Sequence, residues 1–341
     1  MRNSRKIFAA VAALALISGV TNSADAASTQ NTRTAYIQHQ QEFQNKLYNV
    51  YQKGVSAYQA KNYTAAVNYL SSVVKYERKA QIYTMLGDSY LQIHNPSAAT
   101  KYLKLAANAG ARDRTTLAGL GVAQMDMGNY KMAATYLYSA LKYFSNDPEI
   151  AWNLGISYDK AGNPDGTLSA MKKLIAMQPS YNPESYLYAG IILNSKGDAK
   201  QGLACFEKGL KYFPNNGDLN FHVGDNLYAL GDYEGSIPYL QKAVKINQTN
   251  LDAYWTLGMA YVQLDDLDSA QNICDIMGKI APKDNRTIDL CKTVQQKVQQ
   301  KILEQQMQQD QINQQMQDMQ AATGDDSATE TNNSAIQMVM N

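Results

Sequence analysis

Apolar residues recur along this chain at three- and four-residue steps, the beat of helices that bury one stripe. Ile37, Phe43, Leu47 and Val50 keep that beat near the start, and Ile288, Cys291, Val294, Val298 and Ile302 keep it near the end. Between them the pattern is punctuated by glycine at Gly54, Gly87, Gly121, Gly155, Gly190, Gly224 and Gly258, at intervals of 33 to 35 residues. A fixed interval of this length marks a repeat array. Twelve residues after each glycine stands Ala66, Ala99, Ala133, Thr167, Gly202, Ser236 or Ala270. The pairing of small residues predicts two helices that cross closely at each repeat.

Polar positions mark where those helices begin and end. Eight residues after each glycine comes Asn62, Asn95, Asn129, Asn163, Asp198, Asp232 or Asp266, residue types whose side-chain oxygen caps an orphaned helix N-terminus. Pro96 and Pro164 follow their caps directly, at the first helical position, where the missing N–H costs nothing. Just before the cap, Gly128, Gly162, Gly197 and Gly231 tolerate the positive φ that ends a helix, and Lys61, His94 and Asp265 fill the same slot elsewhere. Each unit is therefore predicted as helix, tight turn, helix, with Pro179, Pro214 and Pro282 closing the second helix. The fold class expected is all-α: a right-handed α-solenoid of about seven helix-turn-helix units, with a C-terminal capping helix.

Over residues 47–284 the chain resembles the tetratricopeptide repeat (TPR) family. An aromatic residue, then Leu-Gly, then a second aromatic residue appears in Tyr83-x-x-Leu86-Gly87-x-x-Tyr90 and in Tyr254-x-x-Leu257-Gly258-x-x-Tyr261. Repeat four has Trp152 one place late, Gln124 stands where an aromatic is usual, and Leu174 and Met277 stand where alanine is usual. The resemblance implies a binding face lined by the second, fifth, ninth, twelfth and thirteenth positions of each repeat. Carried onto this sequence, that face includes Tyr48, Tyr51 and Tyr58, then Trp152, Ile156, Leu187, Ile191, Phe221, Tyr228, Trp255 and Met259. Glu149, Asp159, Glu184, Asp218, Asp225 and Asp252 lie among them, which makes the expected groove aromatic with acidic borders. One subfamily grips a C-terminal carboxylate with lysine and asparagine. Here the corresponding slots hold Tyr51 and Val55, Thr84 and Asp88, and Ala118 and Val122, so that clamp is absent.

The flanks read differently. Arg2, Arg5 and Lys6 precede an apolar run from Ile7 to Val20 and an A-x-A site at Ala24-Asp25-Ala26, the layout of a secretory signal peptide over residues 1–26. Residues 27–46 are expected as a small, polar linker followed by the start of the first helix near Thr34. Residues 285–320 are expected as the capping helix and a helical extension in which glutamine makes up 13 of residues 295–320. Met307, Ile312, Met316 and Met319 are read as drifting off any one heptad seam, which points to a solvated arm rather than a coiled coil. Residues 321–341, small and polar, are expected to be disordered.

Charge and chemistry narrow the function. The formal net charge of the chain is +1, and loss of the +2 carried by residues 1–26 leaves a nearly neutral protein, unlike a nucleic-acid or anionic-membrane binder. The histidines His39, His94 and His222 form no H-E-x-x-H pair. The trio of His222 with Asp218 and Asp225 reads as a surface helix with mixed charge rather than a metal site. Neither a phosphate-binding glycine loop nor a nucleophile elbow is present, so no enzyme, cofactor or metal is expected. Three cysteines exclude a disulfide-built scaffold. Cys274, in the second helix of repeat seven, and Cys291, in the next helix, are nonetheless a candidate disulfide because those helices should pack together.

The expected function is a non-enzymatic scaffold or adaptor of the bacterial cell envelope, in the periplasm or outside the cell. Its partner would be a peptide or protein segment with apolar anchors and basic flanks, held in the groove. The rival reading is a structural protein that self-associates through its Gln-rich C-terminal helix.

Overall fold

The computed structural model describes residues 23–323, and these form fifteen helices and no strand. The charged start, apolar run and tail anticipated above lie largely outside the described residues. The helices fall into two compact units that divide between Asn163 and Pro164. The first contains α1 (Ser23–Gln59), α2 (Tyr63–Val73), α3 (Ala80–Gln92), α4 (Pro96–Asn108), α5 (Arg114–Asp126), α6 (Tyr130–Tyr143) and α7 (Pro148–Lys160). The second contains α8 (Pro164–Met177), α9 (Glu184–Ser195), α10 (Ala199–Tyr212), α11 (Gly217–Ala229), α12 (Tyr233–Ile246), α13 (Leu251–Gln263), α14 (Leu267–Ile280) and α15 (Asn285–Thr323). Within each unit, consecutive helices pack as antiparallel neighbours joined by short turns.

The turn chemistry follows from the sequence. Asn62, Asn95, Asp198, Asp232 and Asp266 each accept a bond from the backbone N–H three residues on, at 2.9–3.1 Å. Asn129 departs from the row, because its amide instead donates to Gln124 Oε1 at 3.2 Å. A second row of caps, not recognised in the sequence, starts the other helix in five repeats, whereas α3 begins after Lys79 without a side-chain cap. Asp113, Asp147, Asn182, Asn216 and Asn250 accept from Thr116, Ile150, Ser185, Leu219 and Ala253 at 2.8–3.0 Å.

At the turn inside each repeat, Gly128, Gly162, Gly197 and Gly231 have φ between 72° and 87°, and Lys61, His94 and Asp265 sit there at 57–59°. A side chain in this left-handed region crowds its own carbonyl. Replacing the exposed His94 by glycine is therefore expected to stabilise the protein by ~0.5–1 kcal/mol, read as a rise in thermal midpoint. A fall would show that the His94 side chain makes a contact worth more than the strain.

The small residues meet closely as expected: a Cβ on Gly202 would come 3.1 Å from the Gly190 carbonyl oxygen, and one on Gly224 3.1 Å from the Ser236 carbonyl oxygen. A contact not anticipated adds to this, because five glycines of the 34-residue row also face the large residue sixteen places on. A Cβ at Gly54, Gly87, Gly121, Gly190 or Gly224 would overlap Leu70, Leu103, Leu137, Phe206 or Leu240. The glycine is thus a socket and the large residue its plug, and each of these plugs is fully buried. Gly258 differs: position 274 holds the short Cys274, and the socket is filled instead by Leu290 of α15. Beside that contact, Cys274 and Cys291 are joined in a disulfide with their Cα atoms 5.2 Å apart.

Two expectations on the flanks are corrected. Helix α1 already runs from Ser23, so residues 27–33 are helical rather than a linker. No glycine or proline interrupts residues 23–53, and nothing local breaks the helix. At the other end, the buried face of α15 is Thr287, Leu290 and Val294, not the stripe through Ile288, Val298 and Ile302. Leu290 must enter the Gly258 socket, and that turns Ile288, Val298 and Ile302 outward, 52%, 36% and 42% exposed.

Candidate protein-binding face

The first helices of successive repeats lie side by side, α3, α5 and α7 in one unit, and α9, α11, α13 and then α15 in the other. They are linked by side chains about one repeat apart. In the first unit Tyr58 Oη donates to Asp88 Oδ2 at 2.5 Å, and the hydroxyls of Thr84 and Thr116 bond at 2.8 Å. Burial, reinforced by the bond to Asp88, pushes the Tyr58 phenol well above its usual range. Arg114 donates to Asp147 Oδ2 at 2.5 Å and to Glu149 Oε2 at 2.6 Å. Burial opposes ionisation of Asp147, yet the Arg114 guanidinium and the backbone N–H of Ile150 hold its carboxyl below the ordinary carboxylate value.

In the second unit the amides of Asn194 and Asn226 bond reciprocally at 2.9 and 3.2 Å. Thr256 Oγ1 donates to Asp225 Oδ1 at 3.3 Å, Trp255 Nε1 to Asp289 Oδ2 at 3.2 Å, and Arg286 Nη1 to Asp252 Oδ1 at 2.6 Å. Such bonds fix the spacing of neighbouring helices, because a half-buried polar group left alone is costly.

The anticipated face residues lie on the first helices of the repeats. Trp152 and Ile156 are half-buried on α7 in the first unit, while Tyr48 of α1 is 60% exposed. In the second unit Leu187, Phe221, Tyr228, Trp255 and Met259 are half-buried, and Ile191 is 46% exposed. Phe221, Trp255 and Met259 also pack against the core cluster around Leu257, Met277 and Leu290, so each serves stability as well as surface shape. Tyr228 leans on Tyr233 with ring centroids 5.3 Å apart.

The acids are less uniform than their spacing implies. Glu149, Glu184, Asp218 and Asp252 all occupy the first turn of their helices, where a negative charge complements the helix dipole. Arg114 engages Glu149 and Arg286 engages Asp252. Among the described residues, Glu184 and Asp218 are exposed and form no ion pair. The partner arginines escaped sequence reading, although Arg286 stands 34 residues after Asp252, one repeat on.

His222 is not the exposed mixed-charge residue anticipated. It is half-buried, stacked on Phe206 at 5.0 Å and tilted against Phe221 at 5.0 Å. Burial lowers its pKa, with Asp225 and Asp218 pulling the other way. No group of three His, Cys, Asp or Glu side chains able to hold a metal occurs among the described residues. The thiol of Cys205 is pushed up to about 11 by burial, which leaves it a poor nucleophile. Among the described residues no helix is long and apolar enough to cross a membrane.

Comparison with known proteins agrees with this architecture. Models of the tetratricopeptide repeat match residues 119–182 and 189–250, and residues 227–290. The chain is 25% identical over 247 residues to a TPR repeat-containing protein of Methanocaldococcus jannaschii, covering 67% of this chain and 43% of that protein. It is 25% identical over 144 residues to a BBSome complex member of Bos taurus, covering 42% of this chain and 27% of that protein. The chain thus spans less than half the length of both curated relatives. The solved C-terminal part of a TPR repeat-containing protein from Cytophaga hutchinsonii superposes with a TM-score of 0.57 at 15% identity, covering 70% of this chain and 98% of that one. At that identity the likeness shows the fold.

Proposed function

Because the chain is a tetratricopeptide repeat protein, and such repeats mediate protein–protein interaction, we propose that it is a non-enzymatic adaptor that holds a partner segment on the face of its first helices. The observation that carries this reading is the row in the second unit. Leu187, Ile191, Phe221, Tyr228, Trp255 and Met259 present apolar surface, and the unpaired carboxylates of Glu184 and Asp218 border it. A segment with apolar anchors and basic flanks complements such a surface: aromatic residues concentrate binding energy, and the acids favour Lys or Arg beside them. The site of action we propose is the bacterial cell envelope. Residues 1–26 have the order of a secretory signal, and the disulfide between Cys274 and Cys291 belongs to an oxidising compartment.

The test begins with a partner recovered by cross-linking in the native cell, followed by affinity measurements on the purified pair. Ile191→Ala removes an exposed side chain and is expected to leave the melting temperature unchanged while weakening capture by ~1–2 kcal/mol. Reversing Glu184 and Asp218 to lysine is expected to slow association and reduce its dependence on salt. Capture unchanged by both sets of substitutions would place the partner on another surface.

A further inference from the structure

From Gln295 to Gln317, α15 is exposed on every side, although its base is anchored by buried Leu290 and Val294. Most helices in proteins draw their stability from packing one face against a partner. Bonds between neighbouring turns steady it locally: Gln300 to Glu304 at 2.9 Å, Gln309 to Asn313 at 3.1 Å and Gln314 to Asp318 at 3.1 Å. The outward rotation forced at the Gly258 socket also changes how the arm's sequence is read. With glutamines admitted to the seam, Val298, Ile302, Gln305, Gln309, Ile312 and Met316 follow one another at steps of 4, 3, 4, 3 and 4 residues, an unbroken a/d heptad seam. The apparent drift arises only when Met307, on the opposite face, is counted in and the glutamines are left out.

The chemistry of that seam selects its partner. It is a palindrome, with two apolar positions, two amides and two apolar positions, and so it matches a second copy of itself. The flanking e and g positions are Gln299, Lys301, Gln306, Gln308, Asn313 and Gln315. None is acidic, and the one cation, Lys301, is bonded to Asp265 of its own array at 2.5 Å. Flanking charges that would select a different chain or repel a second copy are therefore missing.

We propose that two copies of this chain pair through this seam as an antiparallel two-stranded coiled coil centred on Met307. Val298 of one copy then packs on Met316 of the other, Ile302 on Ile312, and Gln305 meets Gln309, so that amides bond to amides and fix the register. The antiparallel sense follows from the base of the helix. Buried Val294 stands only four residues before Val298, so parallel strands would bring both arrays to the same end within about 6 Å of the first layer. Antiparallel strands put them at opposite ends of a seam about 27 Å long. This pairing stands apart from the groove reading, since no groove residue takes part.

Sedimentation of the full processed chain tests it. A dimer is expected at ~100 μM, and a monomer at that concentration would overturn the proposal, as would a trimer or tetramer. Ile302→Asp with Ile312→Asp is expected to weaken the dimer at least ~10-fold with the array's melting temperature unchanged. Gln305→Leu with Gln309→Leu, which removes two polar layers, is expected to tighten it by a similar factor. Failure of either pair to move the equilibrium would sink the seam. In a Cys205→Ser background, mixing Val298→Cys chains with Met316→Cys chains should give the crossed disulfide under mild oxidation. Exclusive 298–298 and 316–316 products would overturn the antiparallel arrangement. Capture of a groove partner by the monomeric Asp variant separates the two readings, because either can fail alone.

Discussion

Phe206→Ala is expected to cost ~3–5 kcal/mol of unfolding free energy, while Gly190→Ala costs ~1–3 kcal/mol, and the two losses are not expected to add. Phe206 is fully buried, and its ring occupies the place where a Cβ on residue 190 would project. Removing the ring leaves a cavity, and adding a methyl against the intact ring forces helices α9 and α10 apart. With the ring already absent, the methyl enters empty space and restores some of the lost contact. The double variant should therefore be no less stable than Phe206→Ala alone, a coupling of ~1–3 kcal/mol in denaturant unfolding. Simple additivity would mean that the socket and plug do not touch, and the account of the glycine row given above would be wrong.

Loss of the disulfide is the second large effect. Cys274 and Cys291 are 17 residues apart in sequence, and closing a loop of that size contributes ~3 kcal/mol through restriction of the unfolded chain. Reduction, or replacement of both cysteines by alanine, should lower stability by about that amount. Hydrogen exchange should quicken first at the start of α15, where the covalent link reinforces the packing of Leu290 and Val294 and the bonds of Arg286 and Asp289 to α13. The protein purified from its native cell should begin at Ala27, with one free thiol, at Cys205, after denaturation without reductant. Three free thiols would remove the link from the account and leave α15 fixed by packing and by the bonds of Arg286 and Asp289 to α13.

Much of the fold is legible in the sequence because a repeat multiplies every local signal. One Asn before a helix says little, but seven Asn or Asp residues one period apart identify a row of caps, and five of them are seen to cap. The left-handed turn at Lys61, His94 and Asp265 is legible for the same reason: those positions inherit a conformation that glycine reveals in the other repeats. What stayed hidden depends on contacts between turns. Gly202 lies close to the Gly190 carbonyl as its spacing implies, but that Phe206 fills the space beside Gly190 depends on the rotation of α10 about its axis, which the period does not give. The rotation of α15 was misjudged similarly, since Ile288, Val298 and Ile302 form a credible stripe until Leu290 has somewhere to go. In the candidate binding face, position alone supplies the proposed row of residues, whereas the pairing of its acids could not be read from position. Asp252 and Glu149 look like Glu184 and Asp218 in sequence, and only the reach of Arg286 and Arg114 across one repeat separates the neutralised acids from the available ones.

The short side chain at position 274 also bears on how long this array can be. Every preceding repeat for which the contact is described ends its socket with a leucine or phenylalanine from its own second helix, so each such unit is finished before the next is added. The last unit is not, because Cys274 leaves the Gly258 socket open and a residue from outside the repeat must close it. Copying the seventh unit in tandem would therefore place an open socket inside the array, whereas copying the sixth would not. A duplication that lengthened this protein would be tolerated upstream of Leu251 and rejected downstream of it, which makes the seventh repeat a terminator written into the side chains.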